Sequence, residues 1–335
     1  MKAVCPQYET SERLVESIHR NFGGFYPGCR GVHANGRYYA ATFVGSPAAP
    51  RISRALHLQG DATPATVRFS NSPSGNPMGP ARSVSMATKF FLPDGTVTDL
   101  VALPLAVFIT RTPEETLAFL EVAGPDPGTG IRDEVRIQAF VAARPWIGHA
   151  LQLLQAAPAA LSFARTRFNA LHAFRFVNAD GNACHARYSW EPEAGEAGQT
   201  LEALHQHPPS HLYEELEARL RDGPVGYRLA LQIAGPEDPT HDPTAAWPAD
   251  RQRVIIGRLE LTRPTSPEEI GDPVMLHDPT RLTDGIEMSD DPILAARRGI
   301  YELSAAHRTG GWKGRSAALA RAGGMGCPFT ALAST

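Results

Sequence analysis

The sequence predicts an α+β fold: an antiparallel β-barrel of about eight strands, with helices around it and at its C-terminal end. Three observations carry this. Strand-like segments come in hairpin pairs closed by turn residues. Helical segments lie between and after these pairs, so the alternating βαβ order of a parallel sheet is absent. The chain has 335 residues, of which 42% are hydrophobic, enough for a substantial core. Strands joined by hairpins favour closure into a barrel, because closure removes exposed edges.

The elements follow in order. Residues 12–22, ERLVESIHRNF, have helical periodicity. GVHANGRYYAATFV (31–44) and ATVRFSNS (65–72) cluster β-formers and are expected to be strands. VSMATKFFLPDGTVTDLVAL (84–103) is a hairpin turning at Pro93, Asp94 and Gly95. In TRTPEETLAFLEVAG (110–124), Thr112 is the expected N-cap, Pro113 takes the first position and Glu115 closes a capping box; Pro125 and Pro127 stop the helix. Residues 131–170 are expected to be helical but interrupted by Pro145 and Pro158. A second hairpin, 172–193, turns at Asp180 and Gly181, and a helix begins near Ser210. Residues 225–235 and 253–263 are further strands, and the proline-containing stretch 264–288 is expected to be extended. A last helix starts near 290, with Ser289 as N-cap and Asp290 and Asp291 in its first turn, and ends at Gly310 and Gly311. One domain over residues 1–312 and a tail over 313–335 is the expected organisation.

Bulk properties narrow the function. There are 32 basic and 35 acidic residues, a formal net charge of −3, which argues against a nucleic-acid or anionic-membrane surface as the main partner. No stretch approaches the ~20 apolar residues of a membrane span. The opening MKAVCPQYETSERLVES carries no apolar signal core, so the cytoplasm is the expected compartment. Cys5, Cys29, Cys184 and Cys327 are scattered without CxxC spacing and are expected to be reduced thiols.

The segment LAARRGIYELSAAHR (294–308) raises the chemical question. On a helix, Arg297, Tyr301 and Arg308 share one stripe. A solvated basic face with one amphipathic tyrosine satisfies that spacing. So does a phenol held beside cations, whose phenolate is a hard anionic ligand for ferric iron.

Several motifs in order resemble the haem catalase superfamily. They are CRGVHANG, VRFSNS, MATKFFLPDGTVTDLV, FRFVNADGNACHARYSW, HDPTAAWPADRQRVIIGRLELTR and HDPTRLTDGIEMSDDPILAARRGIY, spread from about residue 28 to 312. The chain's length is similar to that of the small catalase-related peroxidases. The resemblance implies haem b as cofactor, with iron held by Tyr301 as axial ligand and Arg297 keeping that tyrosine a phenolate. It implies Arg30, Arg68 and Arg308 on the haem propionates, a sensible choice because buried carboxylates need forked cationic donors. It makes His33 the distal acid–base group and Ser70 the hydroxyl that fixes its tautomer. Arg68 and Ser70, two apart, share a strand face. Phe108 and Phe69 are candidates for packing near the porphyrin, or for ordinary core. Taken alone, His33 is a polar residue on a mixed strand, and Arg30 lies on the opposite parity, before the strand settles.

One departure shapes the expected activity. The family places an asparagine after Asp-Leu-Val to orient peroxide; here TDLVALPLAVFITR has Leu103 and Pro104, neither a side-chain donor. Val84 and Ser85 likewise replace the usual Arg-Gly. The expectation is therefore a haem peroxidase that reduces hydrogen peroxide or organic peroxides with a small organic electron donor and has weak or no catalase activity. The rival readings are a fatty-acid hydroperoxide rearranging enzyme of the same fold and a non-catalytic haem-binding protein. A homodimer is compatible with the resemblance. His205, His207 and His211 are expected to lie in a solvated loop, and Cys184 with His185 to be strand packing. No GxGxxG, P-loop, HExxH or GxSxG motif occurs.

Overall fold

The computed structural model describes residues 6–21, 30–71, 84–126, 128–208 and 210–310. Helix α1 (Pro6–Asn21) begins earlier than the periodicity of 12–22 suggested. Strands β1 (Asn35–Gly45) and β2 (Ala62–Asn71) follow, then the hairpin β3 (Val84–Phe91) and β4 (Val97–Ala102). Helix α2 (Pro113–Ala123) has the expected cap: the Thr112 hydroxyl accepts from Glu115 N at 3.1 Å. The reciprocal bond goes one residue further back than a standard capping box, from Arg111 N to the Glu115 carboxylate at 2.8 Å.

The stretch 131–170 is only half helical. Helices α3 (Glu134–Ala142) and α4 (Pro145–Ala156) give way after Pro158 to short extended pieces, β5 (Ala159–Ala160) and β6 (Phe168–Asn169). Proline removes a helical hydrogen bond and favours extended backbone before it, so the helix does not restart there. The second hairpin is β7 (Phe174–Val177) with β8 (Ala183–Pro192), and β9 (Gly198–Gln199) pairs with β5. Helices α5 (Leu201–His205) and α6 (His211–Asp222) precede the long strands β10 (Val225–Ile233) and β11 (Arg253–Thr265). The stretch 264–288 is not wholly extended. Ser266 caps a single helical turn, α7 (Pro267–Ile270), before β12 (Ile286–Met288). The final helix is α8 (Pro292–Arg308).

The large sheet is antiparallel throughout, in the order β12-β7-β8-β10-β11-β1-β2-β3-β4, with β6 also on β8. It curls until its ends meet. Leu103, just past β4, exchanges two backbone hydrogen bonds with Asn169 of β6, at 3.0 and 2.7 Å. Counting β6 and β7 as one interrupted strand, the circuit has the expected eight. One bridge, not a full ladder, completes it.

Aromatic rings fill the interior. Phe69 stacks on Phe163 with centroids 4.7 Å apart, Phe43 meets Phe90 edge-on at 5.2 Å, and Trp190 is fully buried beside them. The packing reaches the backbone: a Cβ on Gly257 would lie 2.1 Å from the Phe43 ring. Residues 67 and 69 point inward, so 68 and 70 point out. Yet β2 from Ala65 on is buried on both faces, as is β3 except at its end. Helices cover the outer face of these strands, and the candidate site lies between the two layers.

Candidate active site

A cavity of about 350 Å³ lies between the outer face of β2–β4 and helices α1, α2 and α8. Its wall carries His33, Arg30, Arg68, Phe108, Arg297 and Tyr301, six residues singled out in the sequence, and is otherwise mostly aliphatic. Ser70 and Arg308 sit behind this wall.

His33 does not lie on a strand. It occupies a bend before β1 with φ of +53°, left-handed backbone that a non-glycine residue adopts only when something holds it. Arg68 does so: its Nη2 donates to the carbonyls of His33 at 2.9 Å and Ala34 at 3.3 Å. The guanidinium crosses directly over Gly36, where a Cβ would stand 2.3 Å from Arg68 Nη2, so the space exists only because residue 36 is glycine. Ser70 lies opposite Ser85 in the β2–β3 register, and their hydroxyl oxygens are 2.5 Å apart. Ser85 itself faces the cavity. The residue that departs from the family pattern thus connects Ser70 to the site.

Tyr301 projects from α8, whose cavity-facing residues 293, 296, 297, 300, 301 and 304 fall on one helical stripe. Arg297 lies 5.9 Å from the centroids of both the Tyr301 and Phe108 rings. Arg298 instead faces solvent and pairs with Glu302 at 3.3 Å, which separates two neighbours that spacing alone left equivalent. The N-cap of α8 is Asp291, not Ser289. Pro292 takes the first helical position, and Asp291 Oδ1 accepts from Ile293 N at 2.8 Å and Leu294 N at 3.3 Å. Its other oxygen lies 2.6 Å from His172 Nδ1, with both side chains buried. Burial holds His172 below its ordinary range, against the Asp291 hydrogen bond and aided by the Arg297 charge. Asp291 and His172 thus form a buried pair close enough to Arg297 to feel its charge.

Cations gather at the third side. Burial and the neighbouring Arg30 charge pull Arg68 down to about 10, and the same two causes act on Arg308. Arg30 and Arg308 each spend one N–H on the loop before β12: Arg30 on Met275 O at 2.6 Å, Arg308 on Val274 O at 3.0 Å. Arg68 Nε and Arg308 Nε and Nη2 are buried without hydrogen-bond partners, and among the described residues no carboxylate pairs with these three arginines. Tyr38, opposite Arg68 in the β1–β2 register, lies among them. Burial would raise its phenol, but the charges of Arg68, Arg30 and Arg308 and a hydrogen bond from Arg30 outweigh that and lower it. A cluster of like charges with unmet donors is unfavourable unless an anion completes it. Such a site fits a ligand with carboxylates at one edge and an apolar body. Tyr301 offers a hard oxygen donor to a metal on one face, and His33 lies elsewhere on the same wall.

Of the two readings open for Phe69, ordinary core holds: it does not face the cavity, because its parity on β2 turns it inward. Pro104 lines a separate cavity, so only Leu103 of the two substituted residues reaches the site. Sequence reasoning missed His172, His277 and the α1 residues Leu14, Val15, Ile18 and His19, all beside the site or on its wall, and marked Ser85 only as a departure from the family pattern. The only signal for His172 was its place before a strand. The α1 residues carried an apolar stripe with nothing to say what it covered. Cys184 is a half-buried free thiol on β8; Cys5, Cys29 and Cys327 and the expected tail lie outside the described residues. Among the described residues, no helix is long and apolar enough to cross a membrane.

Comparison with known proteins adds three findings. A sequence model of the family described as Catalase matches residues 27–314. A protein named catalase-related peroxidase from Mycolicibacterium paratuberculosis is 40% identical over 314 residues, covering 92% of this chain and 97% of its own; one of the same name from Synechococcus elongatus is 31% identical, covering 90% and 89%. The crystal structure of a fungal catalase superposes with a TM-score of 0.74 at 19% identity, over 85% of this chain and 60% of that one, a likeness of fold.

Proposed function

The chain belongs to the catalase family, and from that premise we propose that it is a haem-dependent peroxidase with weak or no catalase activity. It reduces hydrogen peroxide or organic peroxides at the expense of a small organic electron donor. The observation that carries this reading is the cavity wall. It joins an acid–base histidine, a tyrosine backed by an arginine, and buried guanidinium N–H groups lacking an anion.

The cofactor proposed is haem b, whose iron supplies O–O cleavage and the redox change when bound. Tyr301 would hold its iron, and Arg297 would supply the positive charge that accompanies a phenolate ligand. Asp291 orients His172 by accepting from its Nδ1–H, beside Arg297. Arg30, Arg68 and Arg308 would take the two carboxylates. His33 accepts a proton from one peroxide oxygen and returns it to the departing one, with Ser70 and Ser85 behind it. Leu103 offers no hydrogen bond where the family has an asparagine, so hydrogen peroxide as a reductant is poorly oriented and an external donor takes over. The name shared by the two catalase-related peroxidases favours this over the hydroperoxide-rearranging alternative.

A visible spectrum of the haem-loaded protein tests the reading. It is expected to change on mixing with peroxide and to return when a phenol is added. Tyr301→Phe is expected to abolish haem retention or shift the resting spectrum strongly. A Tyr301→Phe spectrum identical to the parent's would remove Tyr301 as ligand, and a protein that takes up no haemin would remove the function.

A further inference from the structure

One buried histidine on the cavity wall is not used by the chemistry above. His277 is 2% exposed, and neither ring nitrogen has a hydrogen-bond partner among the described residues. A buried imidazole with both nitrogens unmet is unfavourable, so it marks a place that a ligand completes. The surroundings decide which kind. Burial and the charges of Arg30, Lys89, Arg68 and Arg281 hold the ring neutral. Lys89 already has Asp272 as partner, and Arg281 has Asp99 at 3.3 Å. Arg30 and Arg68 have backbone carbonyls and the Tyr38 hydroxyl, but no carboxylate among the described residues. The spot therefore repels cations and attracts an anion, and a neutral imidazole always carries one N–H to donate.

The loop bearing His277 is fastened to the same cluster. Arg30 and Arg308 hold the carbonyls of Met275 and Val274, two and three residues before it. Met275 adopts left-handed backbone at φ +41°, and its N–H donates to Asp272 Oδ1 at 2.9 Å. The guanidiniums proposed to take the cofactor carboxylates thus also fix the peptide that presents the imidazole.

We infer that His277 is a further cofactor-positioning residue, donating an N–H hydrogen bond to a carboxylate of the bound haem beside Arg30 and Arg68. The inference rests on the haem reading of this cavity. His277 fixes the edge of the cofactor, while Tyr301 fixes its metal.

The test uses the full chain and two variants. His277→Phe fills the space without a donor; His277→Gln restores one. The first readout is the rate of haem transfer to excess apomyoglobin. His277→Phe is expected to release haem about tenfold faster than the parent, and His277→Gln to stay within about threefold of it. The second readout is urea unfolding of the cofactor-free proteins. Here His277→Phe is expected to be at least as stable as the parent, because it removes two unmet polar atoms, whereas a merely structural role predicts a loss. Equal haem transfer in parent and His277→Phe, or a cofactor-free His277→Phe that is destabilised, overturns the inference and leaves the haem reading standing. A parent protein that binds no haemin overturns both.

Discussion

His33 owes its position to Arg68 and Gly36: one fastens its carbonyl, the other leaves room for the fastening guanidinium. Replacing His33 by Ala is expected to keep this backbone arrangement and remove the proposed proton carrier. The expected result is haem retained but reaction with peroxide slowed about a hundredfold or more, followed by stopped-flow absorption; an undiminished rate would sink the role. Leu103 permits the opposite experiment. Leu103→Asn puts a side-chain donor on the cavity wall, and oxygen evolution from hydrogen peroxide is expected to rise about tenfold or more, read with an oxygen electrode. No rise would mean that some other feature suppresses catalase activity. At this scale, the residues with a motif around them, His33 and Tyr301, were legible. His277 was not, and Ser85 was legible only as a departure from the family pattern, because an imidazole and a hydroxyl acquire meaning only from what faces them.

Among the elements, α8 does the most. Its period places Arg297 and Tyr301 on the cavity face, while its cap Asp291 both starts the helix and holds His172. Asp291→Asn preserves a good cap but removes the charge facing His172; Asp291→Ala removes both functions. Asp291→Ala is expected to lose about 2–4 kcal/mol in urea unfolding and Asp291→Asn clearly less. Equal losses would show that the cap contributes nothing measurable. Ser289 was the nearer guess from sequence because serine is a good cap, but Pro292 suits only the first helical position and moves the start to Asp291. Helix α1 teaches a related lesson. The family model begins at residue 27, yet α1 packs against α2 and α8 and buries Leu14 and Val15 against the cavity. Its apolar stripe was readable, its partner was not.

For the whole molecule, several buried histidines set the response to acid. His57, 2% exposed and stacked 4.9 Å from Phe90, is pushed down to about 4 by burial. The unfolded chain takes up a proton near pH 6.5, the native state only near 4, so stability is full above about 6.5 and falls as the pH drops through this window. His57 alone accounts for about 2–3 kcal/mol between pH 7 and 4.5, and His172 and His277 act with the same sign. Urea unfolding of His57→Leu at the two pH values is expected to show a difference smaller by that amount; an unchanged difference would assign the acid sensitivity elsewhere. The strands, the hairpin turns and the stripe on α8 were determined by the sequence itself, since backbone geometry fixes periods of two and 3.6 residues whatever lies around them. That Arg68 and Ser70 share one face followed from the same rule, and the structure shows that face to be the outer one. Tertiary structure decided the closure at Leu103 and Asn169, the His172–Asp291 pair across 119 residues, and the convergence of Arg30 and Arg308 on the loop before His277. These contacts join segments with no shared local pattern, and their geometry exists only once the curled sheet has brought its ends together and the helices have closed over its outer face.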